Sequence, residues 1–182
     1  MNERYVAFLR AINVGGHRII KMADLKAAML EAGFANAQTY IASGNVLFEH
    51  PSLDQAAIAS ALEQLIAARY GFSVEVMLRT HAEIRDMVDR NPFGHVQLGK
   101  EVTGYVTLLY HAPTAATSRA IEALSNDVET LVVRGSEVLT TYYRARGKTE
   151  QVTGLEKKLK LVGTTRNWNT IVKLAGMARA EG

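Results

Sequence analysis

The chain contains no cysteine among its 182 residues. Disulfides, thiolate metal sites and cysteine nucleophiles are therefore excluded at the outset. No window approaches about 18 consecutive apolar residues, the minimum for a membrane-spanning helix. The first residues, MNERYVAFLRAINVGG, lack the basic start, apolar run and small-residue cleavage site of a secretory leader. A soluble, cytoplasmic protein is expected. The five histidines, at positions 17, 50, 81, 95 and 111, form no HxH, HxxxH or HExxH pattern, so no metal is expected. GxSxG, GxGxxG and GxxxxGK[ST] are also missing, which argues against serine hydrolases, Rossmann enzymes and nucleotide kinases. No cofactor is expected.

What remains is an ordinary globular composition, 48% apolar and 21% charged, enough to build a core in one domain or two small ones. The net charge of +3 is unevenly spread. Residues 1–133 carry 11 Lys+Arg against 14 Asp+Glu, a balance of −3, while residues 134–182 carry 10 against 4, a balance of +6. A basic last quarter can attract phosphates or nucleic acid. A helix pair with a lysine-rich solvated face explains the same charges more plainly.

RYVAFLR (4–10) reads as a strand buried on both sides. MADLKAAMLEAGF (22–34) reads as a helix with Met22, Leu25, Met29 and Ala32 inward and Gly33 as its stop. AQTYIAS (37–43) and NVLFEH (45–50) are strands around a Gly44-Asn45 turn. A capping box of Ser52 and Gln55 opens a long helix whose inner face is Ile58, Ala61, Leu62, Leu65 and Ile66. Each large aliphatic buried there supplies roughly 1.5–3 kcal/mol. Gly71 ends that helix, and FSVEVMLR (72–79) is the fourth strand. The order βαββαβ is that of a ferredoxin-like unit.

Thr80 and Glu83 cap a short helix halted by Asn91-Pro92, and residues 81–101 read as a helical linker. VTGYVTLLYH (102–111) is a strand, followed by a helix over 115–125 and a hairpin, VETLVVR and EVLTTYYR, around Gly135-Ser136. Thr153 and Glu156 cap GLEKKLKLV, and a last helix starts near Trp168. The expected fold is α+β, with two ferredoxin-like halves at 1–80 and 102–182. The second half ends in a helix instead of a fourth strand.

With strands in the order 4-1-3-2, the connection after strand 1 and the turn between strands 2 and 3 share one end. AINVGGHRIIK (11–21) should therefore lie beside Ser43, Gly44 and Asn45. The loop is longer than the roughly two to six residues usual for a βα connection, and long loops in compact domains often carry function. Its residues suit an oxyanion. Gly15 and Gly16 permit converging backbone N–H groups, Arg10, His17, Arg18 and Lys21 bring charge, and Asn13 and Asn45 bring hydrogen bonds. A plainer reading uses the same residues: the glycines make a bend, and the two asparagines bond to backbone, pinning loop to hairpin.

In GTTRNWNTIVKLAGMA (163–178), Thr165 or Asn167 can cap a helix whose inner stripe is Trp168, Ile171, Val172 and Ala175. Arg166 beside free N–H groups at a helix start is a sensible anion site, where the dipole adds about 0.3–1 kcal/mol. Equally, Trp168 can be core and Arg166 can pair with a carboxylate. The strand order is also that of RNA-recognition motifs, but SGNVLFEH stands where their aromatic signature belongs. Tyr40 and Phe48 could stack on bases, although core packing accounts for at least one of them.

Together, FLRAINVGG, KMADLKAAMLEAGFANAQTYIASGNVLF and TTRNWNT resemble the bacterial family of unknown function numbered 1697 over nearly the whole chain. The resemblance implies a two-part ferredoxin-like α+β fold and no activity, since none is established for the family. Its hallmark positions map onto Arg10, Asn13, Gly15, Gly16, Ser43, Gly44, Asn45, Thr165, Arg166 and Asn167. Where the family commonly has glycine, this chain has Ala11.

The leading functional expectation is a non-catalytic binding protein for an anionic partner, a small molecule such as a nucleotide or phosphate, or RNA. Arg10, Asn13, Gly15, Gly16, His17, Ser43, Gly44, Asn45, Arg166 and Asn167 are its candidate ligand-binding residues. One alternative is an enzyme acting on a phosphorylated or carboxylated small molecule, with His17 as acid or base and Arg10 holding the substrate. Another is an interaction module whose halves, or copies, pair through their sheets.

Overall fold

The computed structural model describes residues 2–148, 154–155 and 158–177. The chain forms two compact units, Met1–Asp86 with Leu174–Gly182, and Met87–Lys173. Each carries a four-stranded antiparallel sheet, so the fold is α+β.

In the first unit the elements are β1 (Glu3–Leu9), α1 (Met22–Glu31), β2 (Ala35–Tyr40), β3 (Asn45–His50), α2 (Gln55–Tyr70) and β4 (Val76–Thr80). The sheet order is β2-β3-β1-β4, which sets β1 between β3 and β4. Alternation along β1 sends Tyr5, Ala7 and Leu9 into a core with Leu25 and Met29 of α1 and Ile58, Leu62 and Ile66 of α2. Val6 and Phe8, on the opposite face, are buried as well, so the uninterrupted apolar run of this strand has a use on both sides. Phe48 stacks on Tyr5 at 5.7 Å and meets Phe34 edge-on at 5.2 Å. It belongs to the helix-facing core, which removes it as a base-stacking residue.

Local details differ from expectation where a neighbouring polar group competes. α1 ends at Glu31, leaving Ala32 outside it and exposed. The cap of α2 is Asp54, whose carboxylate accepts from the Ala57 N–H at 3.0 Å. Ser52 instead accepts from the Asp54 N–H, and Gln55 reaches Glu83 at 3.2 Å. Ala59 rather than Ala61 completes the buried stripe of α2. Thr80 and Glu83 do form a capping box, at the start of α3 (His81–Asp89).

The second unit contains β5 (Val102–Leu109), α4 (Ala115–Glu122), β6 (Glu129–Arg134), β7 (Glu137–Tyr143), a 3-10 turn at Arg144–Arg146 and β8 (Gly163–Asn167). Its strand order is β6-β7-β5-β8. The expected helix in place of a fourth strand is therefore wrong. GTTRN is that strand, antiparallel to β5 with Thr164 opposite Leu108 and Arg166 opposite Val106. The sequence hid it because its buried positions, Thr164 and Arg166, are polar, leaving no apolar alternation to read. Helix α5 (Trp168–Ala175) follows directly. Its buried stripe is Trp168, Ile171 and Leu174, and Val172, expected inside, is 41% exposed. The expected cap of Thr153 on Glu156 lies outside the described residues.

Candidate functional site

The strand order of the first unit brings the chain leaving β1 against the turn that enters β3. The Leu9 N–H donates to the Gly44 carbonyl at 2.8 Å, and the Arg10 N–H donates to the Glu75 carbonyl at 3.0 Å. The loop thus departs between the β2–β3 turn and the lead-in to β4. Gly44 lies at φ +82°, and a Cβ there would stand 2.7 Å from Ile12 Cδ1 and 2.9 Å from Leu9 Cβ. Only glycine permits both the left-handed backbone and this close approach.

Asn13 holds the two segments together. Its Nδ2 donates to the Ile20 carbonyl at 3.0 Å and the Ala42 carbonyl at 2.8 Å, while its Oδ1 accepts from the Ile20 N–H at 2.8 Å. Asn45, fully buried, donates from Nδ2 to the Tyr40 carbonyl at 2.9 Å and to Ser43 Oγ at 3.1 Å, tying off its own turn. Asn13 pins loop to turn through backbone, as the plainer reading had it, while these bonds of Asn45 hold the β2–β3 turn itself.

Beyond Asn13 the loop forms a miniature hairpin. Val14 and His17 pair as an antiparallel bridge, the His17 N–H donates to the Val14 carbonyl at 3.1 Å, and the Asn13 N–H to that of Arg18 at 3.2 Å. Gly15 (φ +59°) and Gly16 (φ +78°) occupy its tip, two successive left-handed residues as a type I′ turn requires. Both are exposed, as are His17, Arg18, Lys21 and Ser43.

Ala11 (φ +51°), Asn13 (φ +55°) and Arg18 (φ +50°) are left-handed too, and Ile41 (φ +52°) joins them in the facing turn. Such conformations concentrate where the surroundings hold a backbone in place, often at ligand-binding segments. At such a φ, position 11 is one where glycine would be free of strain. An Ala there carries about 1–2 kcal/mol of left-handed strain, partly offset by the roughly 0.5–1 kcal/mol lower chain entropy of glycine's replacement. Ala11→Gly is therefore expected to stabilise the protein by about 0.5–1 kcal/mol, read from the urea midpoint at unchanged m-value.

Arg10 pairs with Glu75 at 3.2 Å, their side chains 29% and 40% exposed. A pair this open to solvent contributes about 0–1 kcal/mol, so it orients Arg10 more than it stabilises the fold. Glu75 was not anticipated. The clue was topological: Arg10 just follows β1 and Glu75 just precedes β4, which are neighbours in the sheet. The His17 imidazole makes no hydrogen bond among the described residues, so nothing there orients it as an acid or base.

The start of α1 adds to this surface. Lys21 is its N-cap and no side chain caps it. Asp24 in its first turn already sets one carboxylate at the positive end of the helix, beside the cation of Lys21.

Arg166 and Asn167 belong to the second unit. Arg166 is 7% exposed on β8, with Nη1 donating to Thr164 Oγ1 at 2.7 Å and to the Thr165 carbonyl at 3.0 Å. Burial pulls its pKa down to about 10, leaving it charged at neutral pH. It does not stand at a helix start as expected. Asn167 does, its Oδ1 accepting from the Asn169 N–H at 2.9 Å. Among the described residues no group of His, Asp and Glu could hold a metal ion, and no helix is long and apolar enough to cross a membrane.

No curated protein matches the chain. Among solved structures, the conserved bacterial protein SP0830 from Streptococcus pneumoniae is similar over 96% of this chain and 98% of its own, with a TM-score of 0.78 and 22% identity. That is a likeness of fold. A family model described as a protein of unknown function (DUF1697) matches residues 1–139, and the chain belongs to that family.

Proposed function

We propose that the protein binds an anionic ligand, a nucleotide, phosphate or RNA, at the end of its first unit formed by loop 11–21 and turn 43–45. One observation carries the reading. The loop contains no acidic residue, and it sets exposed His17, Arg18 and Lys21 around a rigidly pinned hairpin beside the uncapped start of α1. Arg10, oriented by Glu75, is at the edge of the same surface.

The same reading takes the chain as two ferredoxin-like halves, 1–80 and 102–182, joined through 81–101, working in the cytoplasm. Titration with pyrophosphate, ATP and a single-stranded RNA at several salt concentrations tests it. Arg18→Ala and Lys21→Ala are each expected to weaken binding and, for RNA, to lower the salt slope by about 1. Absence of binding to all three ligands, or variants that bind like the parent, would contradict it.

A further inference from the structure

Within the second unit, a cleft of about 240 Å³ opens between β5 and the start of α5. Arg144, Tyr105, Asn167, Trp168 and Asn169 line it, and no acidic side chain does. Arg144 is held rather than trailing in solvent. Its backbone N–H donates to the Glu101 carbonyl at 2.8 Å, its Nε donates to the Lys100 carbonyl at 3.1 Å, and its guanidinium lies 5.6 Å from the Tyr142 ring centroid. These contacts leave Nη1 and Nη2 without a hydrogen bond or carboxylate among the described residues.

The rest of the lining points to the same chemistry. Asn167 uses its Oδ1 to cap Asn169, and its Nδ2 makes no hydrogen bond among the described residues. Trp168 is 7% exposed, packed edge-on against Phe93 at 5.1 Å, and its indole N–H also lacks an acceptor among them. The floor is fixed: a Cβ on Gly104 would lie 3.0 Å from the Phe93 ring. The Trp168 ring is largely buried while its indole N–H stays open to solvent, so it can donate to an incoming oxygen. A planar guanidinium with its Nη edge unused matches a carboxylate or phosphate in bidentate fashion. The eight-residue helix α5 starts at this cleft, and its positive end adds to the attraction.

We propose that this cleft is a binding site for a small oxyanion-bearing molecule, a phosphate ester or a carboxylate. At about 240 Å³ the cleft has room for a small oxyanion-bearing molecule. The proposal is independent of the site on the first unit.

Trp168 is the only tryptophan in the chain, so its fluorescence reports on this cleft. The test titrates the full chain with inorganic phosphate and with acetate, using chloride at matched ionic strength as the control. A saturable change with either anion and none with chloride is expected, and which anion acts identifies the ligand class. Arg144→Gln should weaken that response at least about tenfold, Arg144→Lys less, and Arg18→Ala should leave it unchanged. Arg144 is exposed, so melting temperatures of the parent and its variants should agree. The proposal is overturned by no saturable response to either anion, or by an equal response in Arg144→Gln. It is also overturned if Arg18→Ala alone abolishes the response, which would assign the binding to the first unit.

Discussion

Replacing Gly44 by alanine is expected to destabilise the protein by about 2–5 kcal/mol, measured by urea unfolding of the intact chain. Two effects combine. An L-residue held at φ +82° costs about 1–2 kcal/mol. The added methyl would also stand 2.7 Å from Ile12 Cδ1 and 2.9 Å from Leu9 Cβ, and overpacking of this kind costs typically about 1–3 kcal/mol. Leu9 is part of β1, so the chain there cannot yield without disturbing the 2.8 Å bond from its N–H to the Gly44 carbonyl. Ile12 is more adaptable. Ile12→Val removes the closest atom and should recover part of the loss, a coupling visible in the double mutant. A Gly44→Ala protein within about 0.5 kcal/mol of the parent would show that loop and turn are not in contact as described.

The second large effect is at Asn13. Its side chain makes three hydrogen bonds to backbone at 2.8–3.0 Å, and none of them is replaced when the amide is removed. At about 0.5–1.5 kcal/mol for each bond, Asn13→Gly should cost about 1.5–4.5 kcal/mol while keeping the left-handed backbone free of strain. Asn13→Ala should cost about 0.5–1 kcal/mol more than the glycine variant, since the strain at φ +55° outweighs the chain entropy that alanine saves. Asn13→Asp retains the acceptor for the Ile20 N–H but sets a carboxylate oxygen against the Ile20 and Ala42 carbonyls, so it should cost at least as much as the glycine variant. The loss should be concentrated in the loop: amide exchange at Ile20 should accelerate in the glycine and alanine variants more than exchange within β1. Equal stability of the parent and Asn13→Gly would refute the role of this side chain as a pin.

The first unit was largely legible because its strands and long helix bury apolar side chains at regular spacing. Tyr5, Ala7 and Leu9, or Ile58, Leu62 and Ile66, announce their faces without outside help. The neighbourhood of Gly44 and the loop followed from strand order alone. The roles of Asn13 and Asn45 did not, because an amide that can hold a ligand can equally hold a backbone carbonyl, and only coordinates choose. Strand β8 was lost for a related reason. Its Thr164 and Arg166 are buried through hydrogen bonds rather than apolarity, so threonine and asparagine suggested a helix cap instead. The Arg10–Glu75 pair joins residues 65 positions apart and carries no local signal. Arg144 passed unnoticed within a basic quarter that composition alone explained as a solvated face.

The central claim is that loop 11–21 and turn 43–45 form one pinned surface that takes up an anion. The most direct measurement is a backbone amide NMR titration of the full chain with pyrophosphate, repeated at higher salt. The claim predicts saturable shifts at Gly15, Gly16, Arg18 and Ser43 that move together with one affinity and weaken as salt rises. Unmoved amides at these four positions, with or without shifts elsewhere in the chain, would contradict it.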